Sequence, residues 1–292
     1  MVGVTVYRVA AFSDRVGVGS PTGVVLDADD LTDAQMQQIA NAVACSHTAF
    51  VIKAEQDKAD VRVRFFTPTG EITNCAHGTI AAHVALALQS LGHTMQTLRQ
   101  RVNSGVQEVR IEQDGSKVSV FFRQDEIRFS AVPAEIRSEL LALFGLTTST
   151  LGEYDVIVAS PGTNRFLISV KSVNILNKLR PDLTRLKRMC ERIYSLGAFV
   201  YAVDAAGDAH ARMFAPAIGV DEDIINGNSS GCLGAYLLSR SDDLRLSLRV
   251  HQGHAFGRPG TVLVTAARIG ERVETTIGGT AVIEATISIT ID

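Results

Sequence analysis

The chain has 292 residues, of which 46% are hydrophobic and 20% are charged, which suits one large globular body or two domains of ordinary size. Its formal net charge of -3 comes from interspersed basic and acidic residues, which argues against a nucleic-acid-binding face. The N-terminus lacks the pattern of a signal peptide, and no apolar run approaches the roughly 18 residues that span a bilayer. We therefore expect a cytoplasmic protein that does not bind membranes and whose partners are small molecules or a second copy of itself.

The first 70 residues predict strands around one helix. Residues 4–12 and 23–26 are β-branched, mostly apolar runs separated by a turn-rich segment, which predicts two strands. Thr32 and Gln35 have the spacing of a capping box, so a helix is predicted over residues 33–44. A loop that contains His47 follows, and strands are predicted at residues 49–53 and 61–67.

A short polar stretch at residues 71–79 leads into a predicted helix over residues 78–89, which is rich in Ala and Leu. Its residues of chemical interest are Cys75, Ala76, His77 and Gly78. The first amides of a helix lack intrahelical partners and carry the positive end of the helix dipole. Such a helix start favours the binding of a carboxylate or an enolate.

The second half of the chain repeats the pattern of the first at an offset of about 150 residues. Matched pairs include Phe50 with Phe199, Arg64 with Arg212, Glu71 with Glu222, and Cys75 with Asn226. A helix at residues 230–238 corresponds to the helix that follows Cys75. The repeat predicts two similar domains, related by a pseudo-two-fold axis, with both helix starts facing an anionic ligand in a cleft between them.

The two repeats carry different chemistry at equivalent positions. The second repeat has Asn226, Gly227, Asn228 and Ser229, with Asp223 just before them. Since Asn226 does not titrate, a symmetric two-base racemase is disfavoured. An imidazole exchanges protons near neutral pH, so His47 and His77 favour proton transfer from one side of the substrate.

Each candidate also has a structural interpretation. Cys75 is as consistent with a small buried residue as with a reactive thiol. His47 could serve only to bond its own loop, and Asp223 could serve only to complement a helix dipole. No spacing of histidine or cysteine residues indicates a metal site, so no metal is expected.

Together these residues resemble the PhzF-like (phenazine-biosynthesis) isomerases, which belong with diaminopimelate epimerase and proline racemase. The matching segments span nearly the whole length: residues 31–40, 46–51, 64–68, 75–77, 213–219, 222–228, 252–259 and 279–282. The resemblance implies an α+β fold of two diaminopimelate-epimerase-like domains, each a mixed sheet rolled around a central helix. The predicted domains are residues 1–126 with 280–292, and residues 127–279. The resemblance also implies a homodimer that works without a metal or an organic cofactor.

The resemblance carries over to individual positions, with departures at His47 and Ser20. The family's acid/base glutamate is replaced by His47, the histidine of its Gly-His motif is His77, and its aspartate is Asp223. The early Gly-Asn of the family reads Gly19-Ser20 here. The predicted catalytic residues are His47, His77, Asp223 and Cys75, and the predicted substrate-binding residues are Ser20, Ala76, Gly78, Gly227, Asn228 and Ser229.

We therefore predict a biosynthetic, cofactor-independent isomerase that transfers a proton between carbons of a small carboxylate-bearing metabolite. His47 is the predicted mobile acid/base, and His77 and Asp223 are predicted to orient it or the substrate. Two alternatives stay open. One is an amino-acid epimerase or racemase that uses Cys75 with a histidine, and the other is a catalytically silent homologue that binds small acids.

Overall fold

The computed structural model describes residues 2–54, 59–89, 95–115 and 117–291. The chain divides into two units of separate internal packing. Unit 1 comprises Met1–Arg123, Arg258–Gly260 and Gly278–Asp292, and unit 2 comprises Gln124–Gly257 and Thr261–Ile277. The domain boundaries predicted above stay a prediction.

Unit 1 is a mixed sheet with two helices. Its elements are β1 (Val2–Ala11), β2 (Ser20–Val25), α1 (Asp33–Ala42), β3 (His47–Lys53), β4 (Val61–Thr67), β5 (Gly70–Ile72), α2 (Ala76–Gln89), β6 (Met95–Val102), β7 (Gly105–Asp114) and β8 (Lys117–Arg123). Strand β3 pairs parallel with β2 and antiparallel with β4. Strand β4 pairs antiparallel with β5 and parallel with β6.

The rest of the chain repeats this arrangement. Its elements are β9 (Arg128–Ala131), α3 (Ala134–Leu143), β10 (Ile157–Ser160), β11 (Asn164–Ser169), α4 (Val173–Lys178), α5 (Leu183–Arg192), β12 (Ser195–Val203), β13 (Ala209–Ala215), β14 (Val220–Asp223), α6 (Gly227–Ser239), β15 (Arg245–Gln252), β16 (Gly260–Ile269) and β17 (Arg272–Ile291). Strand β12 pairs parallel with β11 and antiparallel with β13. Strand β13 pairs antiparallel with β14 and parallel with β15, so the directions of pairing are those of unit 1. The chain is a mixed α/β protein with many strands.

Local side-chain bonds set where the helices begin. The capping box predicted for α1 is confirmed, since Thr32 and Gln35 bond each other's backbone amides. The sequence predicts the other two starts at residues 78 and 230, but α2 begins at Ala76 and α6 at Gly227. These two starts lie earlier because the preceding residues, Cys75 and Asn226, bond the first turns with their side chains.

Helix α2 is enclosed by its own unit. All residues from Ala76 to Ala85 are buried, and the helix packs against β1, β2, β3 and β8. A helix that is apolar on every side belongs in a core, so its first turn is carried into the interior with the side chains attached to it. Neither this helix nor any other helix among the described residues is long and apolar enough to cross a membrane.

Strand β17 ends by pairing antiparallel with β1. The side chain of its Glu284 is 9% exposed and forms ion pairs with Arg8 at 3.3 Å and with Arg258 at 3.1 Å. Glu284 also accepts a hydrogen bond from the amide of Gly17 at 2.8 Å, and Arg258 donates to the carbonyl of Gly19 at 2.9 Å. These bonds anchor the segment that leads directly into β2.

Candidate functional site

The structure brings the imidazoles of His47 and His77 into contact. His47 is the first residue of β3, where the parallel partner strand places Thr22 beside it. His77 lies in the first turn of α2. The two ring centroids are 4.3 Å apart and the ring planes meet at 79°. Two elements separated by strands β4 and β5 in the sequence therefore converge on one pair of proton carriers.

Cys75 joins this pair. Its sulfur accepts a hydrogen bond of 3.3 Å from the amide of Gly78, and its carbonyl accepts one of 2.9 Å from the amide of Thr79. The ligand atoms of His47, Cys75 and His77 all lie within 4.8 Å of one another. Two ring nitrogens and a thiol are also a donor set that could hold a borderline metal ion such as Zn²⁺. The absence of a metal stays a prediction.

Burial keeps both imidazoles neutral. It lowers the pKa of His47 to about 4, and it lowers the pKa of His77 well below the ordinary value, with the neighbouring His47 adding to the effect. Within the described part of the chain, Nδ1 of His47 and Nε2 of His77 have no hydrogen-bond partner. Each ring therefore has one nitrogen left to bond a reacting molecule.

We expect the free energy of unfolding to decrease as the pH falls from about 6.5 to about 4. Over this range the imidazoles of the unfolded chain take up protons, whereas His47 and His77 in the folded protein do not. The stability that depends on these two groups is thus fully present above about pH 6.5 and is lost as the pH approaches their folded pKa.

Urea denaturation of the wild type and of the double variant His47→Gln/His77→Gln, each at neutral pH and near about pH 5, measures this effect. The double variant should lose less stability on acidification. His83, whose pKa burial also lowers to about 4, is present in both proteins and forms a common background. An equal loss in the two proteins would show that the imidazole pair does not carry the pH dependence.

Unit 2 holds the predicted carboxylate. Asp223 is the last residue of β14, and its Oδ2 accepts a hydrogen bond of 2.9 Å from Nδ2 of Asn226. The same Asn226 caps α6, because its Oδ1 accepts from the amide of Ser229 at 2.8 Å. Burial raises the pKa of Asp223 to about 6. Asp223 can therefore gain or lose a proton near neutral pH.

The predicted residues form two groups. In unit 1, Ser20 is the buried first residue of β2 and its hydroxyl has no hydrogen-bond partner among the residues described; Ala76 and Gly78 are buried in the first turn of α2. A Cβ added to Gly78 would lie 2.7 Å from the ring of Phe65, so only glycine fits this turn. In unit 2, the predicted residues are Asp223, Gly227, Asn228 and Ser229, of which Asn228 is half-buried. Their roles stay predictions.

Sequence reasoning missed Arg165 in β11. Its side chain is buried, and Nη1 lies 3.4 Å from the hydroxyl of Ser229 in the first turn of α6. The only local signal is a basic residue at the start of an apolar run, residues 165–170, which gives no indication of its partner. The contact joins positions that are 64 residues apart, so only the folded chain shows it.

Comparison with known proteins identifies the family. The family model described as phenazine biosynthesis-like protein (PhzC-PhzF) matches residues 9–286. A Salmonella typhimurium relative, named uncharacterized isomerase YddE, is 37% identical over 287 residues that cover 95% of each chain. The trans-2,3-dihydro-3-hydroxyanthranilate isomerase of Pseudomonas aeruginosa is 31% identical over 268 residues that cover 90% of each chain.

Solved structures agree with this result. A PhzF-family phenazine biosynthesis protein of Bacillus anthracis superposes with a TM-score of 0.90 over 100% of both chains, at 27% identity. A hydroxyproline epimerase of Agrobacterium vitis has a TM-score of 0.65 at 13% identity and covers 99% of this chain and 93% of its own, which shows a shared fold alone. The predicted family and the predicted isomerase class are confirmed. The chain belongs to the phenazine biosynthesis-like (PhzF) family of isomerases.

Proposed function

We propose that the protein is a cofactor-independent isomerase that transfers a proton between carbons of a small carboxylate-bearing metabolite. The observation that carries the proposal is the contact between two buried imidazoles, 4.3 Å apart, at the start of α2. His47 is the mobile acid/base in this proposal, and His77 and Asp223 orient it or the substrate. The pseudo-two-fold relation of the units, the cleft between them and the homodimer stay predictions.

A neutral imidazole can both remove the proton from one carbon and deliver it to another. Its free nitrogen accepts a proton from carbon at neutral pH, because His47 is uncharged there. Once protonated in a buried position it is a strong acid, which favours return of the proton to a second carbon. A substrate carboxylate nearby raises the pKa of the imidazole and makes it a better base when the substrate is bound.

The charge that develops on the substrate needs stabilisation. Removal of a proton next to an unsaturated carbon produces an enolate-like anion, and the amides at a helix start stabilise such charge. We propose that the amides of residues 76–77 and 227–228 do this, because those of Gly78 and Ser229 already donate to Cys75 and Asn226. Because α2 is buried on every side, its first turn acts in a medium of low dielectric constant, where these dipoles are more effective than in water.

Histidine in place of the glutamate that the family resemblance implies changes the charge balance. A glutamate is negative before the transfer and neutral after it. His47 is neutral before the transfer and positive after it, so it forms an ion pair with the enolate. In a buried site this pairing stabilises the intermediate. We therefore propose that His47 replaces the glutamate functionally and favours substrates that carry more negative charge.

Hydrogen exchange with solvent tests the proposal. We would incubate the purified protein in D₂O with a panel of small cyclic and amino-acid-like carboxylates and measure deuterium bound to carbon by NMR. The panel includes trans-2,3-dihydro-3-hydroxyanthranilate because the Pseudomonas aeruginosa relative is named for it. We expect enzyme-dependent incorporation for at least one acid. No incorporation with any acid, in a protein that still binds acids, would support a catalytically silent homologue.

A second candidate is an epimerase in which Cys75 acts on one face of the substrate. The observation in its favour is the hydrogen bond from the Gly78 amide to the Cys75 sulfur, because a donor at a helix start stabilises a thiolate. The variant Cys75→Ser separates the two functions in the same exchange assay. Its exchange should continue if His47 carries the proton alone, and should stop if the thiol is the base.

A further inference from the structure

Arg165 is a buried cation without a counter-ion among the described residues. Its side chain is 3% exposed, and its bonds go to neutral oxygens: Nη2 donates to the carbonyl of Thr163 at 2.7 Å, and Nη1 lies 3.4 Å from the hydroxyl of Ser229. Its Nε has no partner in the part of the chain that the structure describes. Removing a charge from water without pairing it costs several kcal/mol. In the free protein, the guanidinium of Arg165 therefore lacks a negative partner and has an unused donor among the described residues.

Arg212 shows how the same unit treats a buried arginine of purely structural use. It is 9% exposed, and it donates two hydrogen bonds to the carboxylate of Glu222 at 2.8 and 2.7 Å. Its remaining donors reach two backbone carbonyls on either side of the end of α4. Arg165 has no equivalent carboxylate among the described residues, although its burial is at least as complete.

The contact with Ser229 places this cation at the start of α6. The cap residue Asn226 accepts from the amides of Ser229 and Ser230 through its side chain and its carbonyl. The amides of Gly227 and Asn228 stand at the positive end of this 13-residue helix, where no intrahelical carbonyl reaches them. The guanidinium of Arg165, carried by β11, thus lies beside the first turn of α6 and its two helix-start amides.

We propose that Arg165, the amides of Gly227 and Asn228, and the hydroxyl of Ser229 form a carboxylate-binding subsite in unit 2. That the carboxylate is the substrate's rests on the proposed function. A carboxylate accepts two parallel hydrogen bonds from a guanidinium and supplies the missing negative charge. The ligand class is a small organic acid with at least one carboxylate, and Nε, which has no partner among the described residues, provides one of the donors.

The corresponding turn of unit 1, at the start of α2, differs from the start of α6 in its side chains. There Gly78 stands where Ser229 stands in the repeat, and the ring of Phe65 fills the space against it. In unit 2 the residue aligned with Phe65 is Met213, whose sulfur accepts a hydrogen bond from the Ser229 hydroxyl at 3.7 Å. The two repeats thus differ at this turn, where unit 1 carries the imidazole of His77 and unit 2 carries the proposed carboxylate-binding subsite.

Binding of benzoate, with the neutral amide benzamide as its matched probe, tests the subsite by isothermal titration calorimetry. We expect the wild type to bind benzoate more tightly than benzamide. The variant Arg165→Met should weaken benzoate binding by about 10- to 100-fold, as the loss of charge-assisted hydrogen bonds predicts. The variant Arg165→Lys keeps the charge without the planar fork and should give an intermediate affinity. It tests the subsite even if the Met variant does not fold.

Arg249→Met is the matched control, because Arg249 is an exposed arginine of unit 2 that pairs with Asp208 at 2.8 Å. It should bind benzoate as the wild type does. In the wild type, the NMR signal of the Arg165 Nε should shift on addition of benzoate. Without ligand, Arg165→Met should unfold at a temperature at least as high as the wild type, since it removes an unpaired buried charge.

Three results would overturn the proposal: no benzoate binding by the wild type, equal affinity of wild type and Arg165→Lys, or benzamide bound as tightly as benzoate. None of these measurements requires turnover. A protein that binds benzoate through Arg165 but exchanges no deuterium keeps the subsite and loses the isomerase assignment. A protein that exchanges deuterium but does not bind benzoate through Arg165 keeps the isomerase assignment and removes Arg165 from the binding site.

Discussion

Replacing His47 by alanine should slow the exchange of substrate hydrogen with solvent by about 10² to 10⁴-fold, the usual contribution of a positioned acid or base. The proposed function assigns the moving proton to this side chain. Among the described residues, the ring in contact with it is that of His77, which is 5% exposed and is held in the first turn of α2. We expect the loss to appear mainly in the rate constant of turnover, because the helix-start amides that hold the anion are unchanged.

Two variants make this test specific. His47→Glu restores the residue that the family resemblance implies, and it should keep more activity than His47→Gln, which has no basic group. His83→Gln is the matched control, since His83 is a fully buried histidine of α2 and its Nε2 is bonded to Gln100 at 2.8 Å. Exchange at the wild-type rate in His47→Ala would remove His47 from the mechanism.

The pH profile gives a second readout of the same assignment. The low pKa of His47, about 4, keeps the free protein in its basic form through the whole neutral range. Protonation of His47 should therefore lower the wild-type kcat/KM only as the pH approaches about 4, below any effect of Asp223, whose pKa is about 6. In His47→Glu the acid limb should move upward, because burial raises the pKa of a carboxyl group.

Replacing Glu222 by glutamine should destabilise the fold by about 3–5 kcal/mol, the cost of leaving one partner of a buried ion pair without the other. Arg212 is held by two hydrogen bonds to Glu222 and by the carbonyls of Leu176 and Leu179 at 3.0 and 3.1 Å. It thereby joins β13 and β14 to α4. Loss of the carboxylate leaves a buried guanidinium that neither carbonyl neutralises.

The repeat supplies the matched control. In unit 1 the equivalent pair is Arg64 with Glu71, at 2.7 Å, but Arg64 also pairs with Asp33 at 2.6 Å. Glu71→Gln should therefore cost less than Glu222→Gln in urea denaturation, because a carboxylate remains beside Arg64. Equal losses in the two variants would show that pairing of the arginine charge does not determine the stability of this repeat position.

Local chemistry made some features predictable. The capping box of Thr32 and Gln35 marks the start of α1 because both bonds lie within one turn. The sequence predicts the starts of α2 and α6 too late because Ala76 and Gly227 are followed by polar residues that give no apolar period. The caps that define these starts use a sulfur and an asparagine side chain, and for the sulfur no strong sequence preference exists.

The sequence alone determined the family, the isomerase class, the duplicated order of elements, and the residue types available for proton transfer. The family and the isomerase class follow from the resemblance of its motifs to a known family, and the order of elements follows from spacing and local periodicity, which depend on neighbours along the chain. Only the tertiary structure decided that His47 and His77 touch, that burial lowers their pKa, and that Arg165 reaches Ser229. Desolvation and contacts between distant residues depend on what surrounds a group in space, and this is set only when the sheet closes around its helix.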